Sequence, residues 1–171
     1  TCTLLLLSGV VIGCGSGGGS DSSSDDNGPV ELTGRAVKAP VAFGTVTVYR
    51  INGNGTRGAF VTSTTTDANG DYTITANIRG SAFEIVITGG SYIDEATGAP
   101  VEMTGKEMNT FVSGSIRSGD SVAITPLTSA AAALAREKAA GGGSINQVID
   151  SSNQAIADAF GLDGIDITDV I

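Results

Sequence analysis

Histidine and tryptophan are absent from this 171-residue chain, and cysteine occurs only at Cys2 and Cys14. Without histidine there is no Ser-His-Asp triad, no Cys-His pair and no imidazole metal ligand. With both thiols near the start, the rest of the chain can build neither a disulfide framework nor a thiolate zinc site. Positive charge is scarce as well: 9 Lys and Arg stand against 18 Asp and Glu, a net charge of −9. Phosphate backbones and anionic lipid headgroups repel so acidic a body. Composition therefore argues against nucleic acid as a partner and against membrane attachment through a basic patch. Aromatic residues make up 5% of the chain, which leaves Tyr49, Tyr72 and Tyr92 as the material for a sugar-stacking platform.

What the chain does have is a short apolar run, Leu4-Leu5-Leu6-Leu7-Ser8-Gly9-Val10-Val11-Ile12. Crossing a bilayer takes about 20 apolar residues, so this run is too short to span one. Its length and its small-residue end fit the core of a secretory signal, and a buried apolar strand is the alternative. The chain opens Thr1-Cys2-Thr3, with neither a Met nor the basic residues that begin such signals. The expectation is a clipped or misassigned start, a signal peptide over 1–13, and no functional weight on Cys2. Residues 15–28 are Gly, Ser, Asp and one Asn. That composition cannot offset its own ordering entropy and reads as a disordered spacer over 14–29.

The run ends Val11-Ile12-Gly13-Cys14, which resembles a bacterial lipobox. The resemblance implies cleavage before Cys14 and lipid on its sulfur, so that the membrane is a partner through Cys14. Gly15, where the family's sorting pattern would place Asp for retention, implies the outer membrane or cell surface.

From Val30 the apolar period becomes two. Thr45–Ile51, 60–66, Asp71–Ala76 and Phe83–Thr88 are β-branched, alternating runs, bounded by Asn52-Gly53-Asn54-Gly55, Asp67-Ala68-Asn69-Gly70 and Gly89-Gly90. Further strands are expected over 30–37, 101–104, 110–116 and 122–125. Seven or eight short strands with regular turns predict an all-β, antiparallel β-sandwich over 30–125. The period changes at Thr125-Pro126, an N-cap followed by a proline suited to the first helical position. Leu127, Ala130, Ala131 and Leu134 then share a stripe, and Gly141-Gly142-Gly143 ends the helix. Ser144-Ile145-Asn146-Gln147 has a capping-box pattern. Behind it Ile145, Val148, Ile149, Ile156, Ala159 and Phe160 recur at helical spacing up to Gly161. A small C-terminal helical hairpin and an extension that stops short of its natural end are expected over 126–171.

Two stretches carry a family likeness. Leu32-Thr33-Gly34-Arg35-Ala36-Val37, Ala42 to Tyr49, and Thr66-Asp67-Ala68-Asn69-Gly70-Asp71-Tyr72 together resemble the carboxypeptidase-regulatory-like, transthyretin-like β-sandwich domains. The likeness covers about residues 30–88. It implies a non-catalytic accessory used as stalk, adhesion module or support, with no catalytic residues to transfer. Residues 122–171 are similar to a segment found after such domains in exported bacterial lipoproteins.

Candidate sites each have a plain alternative. Asp67, Asn69 and Asp71 place oxygens alternately, as a calcium loop begins. However, Gly70 falls fourth where an EF-hand wants glycine sixth, and Ile78 stands where the twelfth-position Glu belongs. A hairpin turn, with Asn69-Gly70 supplying the positive-φ positions, explains the same residues. Asp94, Glu95 and Glu102 could pair carboxylates for glycoside hydrolysis, or could simply be solvated. The connection from Gly89 to Gly105 is the longest irregular stretch and the first place to look for a ligand. Gly141-Gly142-Gly143-Ser144 precedes a helix but lacks the Gly-Lys-Ser/Thr of a phosphate loop. The expectation is a lipid-anchored, non-enzymatic module of the cell envelope with no cofactor. Its alternative is a surface domain that binds peptide, glycan or calcium.

Overall fold

The computed structural model describes residues 28–170; the expected signal segment, Cys14 and nearly all of the spacer lie outside them. The elements run β1 (Val30–Ala36), β2 (Thr45–Ile51), β3 (Arg57–Thr65), β4 (Asp71–Ala76), β5 (Phe83–Thr88), β6 (Ser91–Ile93), β7 (Pro100–Glu102), β8 (Glu107–Val112), β9 (Ser121–Ile124), α1 (Pro126–Ala140) and α2 (Ile145–Ala159). Sheet β4-β1-β9 faces sheet β3-β2-β5-β8, and β6-β7 is a small hairpin beside them. The expected β-sandwich with a helical hairpin is what the chain forms. Pairing is antiparallel throughout except between β1 and β9, which run parallel.

Alternation fixes the inner faces, because neighbouring side chains on a strand point to opposite sides. Val30, Leu32, Tyr72, Ile74, Val122 and Ile124 from one sheet meet Val46, Val48, Phe83, Ile85 and Ile87 from the other in one buried cluster. On the outer side of β4-β1-β9, Glu31, Thr33, Thr73 and Thr75 are exposed.

The motif residues have mechanical roles. Tyr72 lies opposite Gly34 in the β1/β4 register. Its ring crosses the space a Cβ on Gly34 would occupy, and its hydroxyl donates to the Val122 carbonyl at 2.7 Å. Glycine at 34 thus lets one side chain tie all three strands of its sheet together. The Thr66 hydroxyl accepts from the Gly44 N–H at 2.8 Å and donates to the Val41 carbonyl at 2.7 Å, joining the β1–β2 connection to the end of β3.

Three local expectations change. The Thr66–Asp71 turn is not a hairpin within one sheet, because β3 and β4 belong to opposite sheets and the turn arches between them. Only Gly70 in it has a left-handed φ, of 80°. The connection from Gly89 to Gly105 is not irregular, since it holds β6 and β7. Ser144 caps α2 without a side-chain hydrogen bond, and the reciprocal box forms instead at α1, between Thr125 and Thr128.

The hairpin packs on β8, and its Arg136 reaches Glu84 on β5. The α1 stripe that is buried is Thr128, Ala131, Ala132, Ala135 and Ala139, offset from the leucines. Alanine allows close approach: a Cβ on Gly55, in the β2–β3 turn, would stand 3.0 Å from the Ala139 Cβ. On α2, Ile149, Ser152 and Ala157 are buried, while Phe160 at the C-cap is 62% exposed.

The strands also separate two ends of the sandwich. Val30 pairs with Ala76 at the near end; Arg35 pairs with Asp71 and Ala123 at the far end. The last described segment finishes at the far end, where the Thr168 carbonyl accepts the Ala123 N–H at 2.7 Å.

Candidate functional site

At the far end, Asp67 folds its own turn. Its Oδ1 accepts the N–H groups of Asn69 and Asp71 at 2.8 and 2.9 Å. Asp71 is bound from the side by Arg35, whose Nε and Nη2 donate at 2.5 and 3.0 Å. The guanidinium holds the Asp71 carboxyl below its ordinary range. Asp67 and Asp71 thus serve an Asx turn and a cross-strand ion pair, and the Asn69 side chain is exposed beside them. Among the described residues no group of three or more Asp or Glu is arranged to hold a metal ion.

The β6/β7 hairpin stands at the same end, joined to the β1–β2 connection through the bridge between Ala42 and Ser91. Asp94 caps its turn, with Oδ1 accepting from the Thr97 hydroxyl and the N–H groups of Thr97 and Ala96. These donors hold its carboxyl below the usual value. A glycosidase acid needs the opposite shift. Glu95 is exposed, and Glu102 pairs with Ser91 at the hairpin's other end. The Lys38 ammonium donates to the Tyr92 hydroxyl at 3.0 Å, beside an open hollow of about 230 Å³ lined also by Ile93, Asp94 and Glu95. Phe43 nearby is 67% exposed with φ of 57°, a left-handed backbone outside glycine.

Gly141-Gly142-Gly143 is the α1–α2 connector: Gly141 caps α1, and the next two glycines take left-handed φ values of 92° and 128°.

The most concentrated chemistry is one that sequence reasoning missed. Glu84, on β5 between Phe83 and Ile85, is fully buried. Its Oε2 accepts from Arg57 Nε at 2.7 Å, and its Oε1 accepts from Arg57 Nη2 at 3.0 Å, Arg136 Nη2 at 3.0 Å and Asn109 Nδ2 at 2.6 Å. Arg57 also reaches Glu107 at 3.2 Å. Burial pushes the Glu84 carboxyl up, but the hydrogen bonds from Arg57 and Asn109 and the two guanidinium charges outweigh it, and the group stays ionised below its usual range. Arg57 stacks over Tyr49 and Arg136 over Phe111. The cluster joins β3, β5, β8 and α1. Both Glu84 oxygens accept hydrogen bonds from within the chain, so the cluster braces the sheet against α1. The signal was a lone acid inside an apolar strand, which alternation alone assigns to solvent.

One concave surface is apolar. A groove of about 360 Å³ lies between the C-terminal ends of β1 and β9, the start of α1 and the segment after α2.

No protein-family model and no curated protein matches the chain. Among solved structures it is similar to a 9R-lipoxygenase from Cyanothece PCC8801, with 13% identity and a TM-score of 0.35, over 84% of this chain and 26% of that one. It is also similar to a hydroxyquinol 1,2-dioxygenase from Pseudomonas putida DLL-E4, with 14% identity and a TM-score of 0.28, over 52% of this chain and 39% of that one. The chain thus spans well under half the length of either protein, and the likenesses are too low to carry an argument about fold or chemistry.

Proposed function

We propose that this chain is a lipid-anchored, non-enzymatic module of the bacterial cell envelope, tethered through Cys14 and supporting a partner or further domains. The observation that carries the reading is the apolar run ending in Val11-Ile12-Gly13-Cys14 and followed directly by a Gly/Ser/Asp stretch. A tether there would enter the sandwich at Val30, leaving the far-end loops pointing away from the attachment point. We propose further that the sandwich is of the carboxypeptidase-regulatory-like kind. In support, Gly34, Thr66, Asp67, Gly70 and Tyr72, the residues of the likeness, each carry a structural task. Among the described residues no helix is long and apolar enough to cross a membrane, so attachment would rest on the lipid. One acyl chain anchors only marginally, so several are required.

Mass spectrometry of the mature N-terminus tests the anchor. Diacylglyceryl-modified Cys14 at the new N-terminus is the expected result, with Cys14→Ser shifting the protein from the membrane to the soluble fraction. An unmodified thiol with the apolar run still attached sinks it. A ligand-binding surface domain is the second reading, favoured by the apolar groove. It predicts a ligand-dependent rise in melting temperature set by mass action, which pure support does not.

A further inference from the structure

We propose that the groove beside α1 is a docking site for a basic, apolar-anchored peptide segment of a partner protein. Val37, Ala123, Leu127, Leu162, Ile165 and Val170 line its apolar floor and walls. Its volume, about 360 Å³, is at the lower end of ligand-sized cavities and has room for a few aliphatic side chains. Ile165 is 45% exposed in it, and Phe160, at the α2 end leading into the same segment, is 62% exposed. A surface that holds large apolar side chains in water gains by covering them.

Charge selects the occupant. Asp166 and Asp169 stand among the lining residues, Asp163 lies in the same segment, and no Lys or Arg occurs from 139 to 171. The carboxylates of Asp163 and Asp169 have no hydrogen-bonding or ionic partner among the described residues. Among the described residues lining the groove the lone cation is Arg35, and Asp71 already engages it through two hydrogen bonds. An apolar channel with an acidic rim attracts Lys or Arg flanking aliphatic anchors, and complementary charge of this sort steers encounter and rejects wrong partners. The same rim repels anionic headgroups. A second copy is a poor occupant: the chain is net −9, and Arg35, Arg57 and Arg136 are consumed in its own ion pairs. Docking proceeds through side chains and not through strand addition, because the Thr168 carbonyl already occupies the Ala123 N–H on the open edge of β9.

This deepens the supporting-module reading by locating the partner's contact, and its test is independent of the anchor. Loss of lipid on Cys14 would leave the groove as it is, and a groove that binds nothing would leave the anchor untouched. The test is fluorescence anisotropy of the full chain with a short amphipathic Lys/Leu peptide, its Glu/Leu counterpart and its Lys/Ser counterpart. The Lys/Leu peptide is expected to bind in the micromolar range and the other two at least about tenfold more weakly. Ile165→Ser, at a half-exposed position, is expected to weaken the Lys/Leu peptide about tenfold with its melting temperature nearly unchanged, and Asp163→Lys with Asp169→Lys to do the same. Asp150→Lys, on α2 and not part of the groove lining, should change binding less than about twofold. Equal loss from Asp150→Lys reduces the effect to general charge attraction and overturns the proposal. So does Glu/Leu binding as tight as Lys/Leu, no effect of Ile165→Ser, or no binding at millimolar peptide. Concentration-dependent dimerisation abolished by Ile165→Ser would hand the groove to a second copy, which also overturns it.

Discussion

Between the two sheets lie Leu32, Ile74, Phe83, Ile85 and Ile124, each almost fully withdrawn from water; between α1 and its neighbours lie Ala131, Ala132, Ala135, Ala139 and Ser152. A buried Leu, Ile or Phe contributes about 1.5–3 kcal/mol, whereas an alanine methyl contributes about as much as one methylene, roughly 0.8 kcal/mol. The sandwich is therefore held by many large side chains, and the hairpin by a small-residue seam on α1 in which Phe111 and Ile149 are the large buried members, plus the charged brace at Glu84. Buried ion pairs add little net stability over apolar packing but are costly to break from one side. The difference teaches that the helical hairpin is positioned on the sheet more than it is welded to it.

Truncating the sandwich core should produce the largest effect. Phe83→Ala, at a fully buried position, is expected to cost about 3–5 kcal/mol in urea unfolding, lowering protection in β1 and α1 alike. Glu84→Gln is expected to cost about 2 kcal/mol, less than a fully buried pair because Arg57 and Arg136 keep 35% and 40% side-chain exposure and can hydrate. Here the two regions should part: α1 amides exchange faster while β1 amides keep their protection. Equal loss in both would erase the distinction.

Acid should imitate that variant reversibly. The Glu84 carboxyl lies lower in the folded chain than its ordinary 4.5, so the unfolded chain takes up the proton first as pH falls. The stabilisation is complete above about 4.5 and is lost as pH drops through the folded value, with Asp71 and Asp94, shifted the same way but more exposed, adding less. Melting temperatures between pH 7 and 3 should fall more steeply for the native chain than for Glu84→Gln, and parallel curves would remove Glu84 from the account. The smallest change has the opposite sign. Ser152 Oγ is buried without a partner among the described residues, so Ser152→Ala should stabilise the helix pair by about 1 kcal/mol in the same urea experiment.

Strand positions were readable because β-branched alternation is a local signal; β2, β4 and β5 fall where the period predicts them. Thr125-Pro126 marked the start of α1 for the same reason. β6 escaped because three residues cannot display a period. The arch from β3 to β4 could not be told from a hairpin, since the Asp67 turn has the same local chemistry whichever sheet receives β4. The α1 stripe was misplaced toward leucine because transfer free energy favours it, whereas contact with Gly55 and Phe111 favours the side that can come closest. Glu84 was invisible: its burial is caused by a helix that begins some forty residues later, and nothing in Phe83-Glu84-Ile85 announces Arg136. The turn through Asp67, Asn69 and Asp71 was legible from its residue types, but the Arg35 opposite Asp71 became evident only with the β1/β4 register.

The parallel pairing of β1 with β9 has a mechanical consequence. A load drawn between Gly28 and Thr125, just past β9, pulls β1 lengthwise against its neighbours, so the interstrand bonds are strained together in shear and not peeled singly. Stretching single molecules between those two points should give one high-force rupture for the sandwich, and a low, stepwise extension would show that the strands unzip.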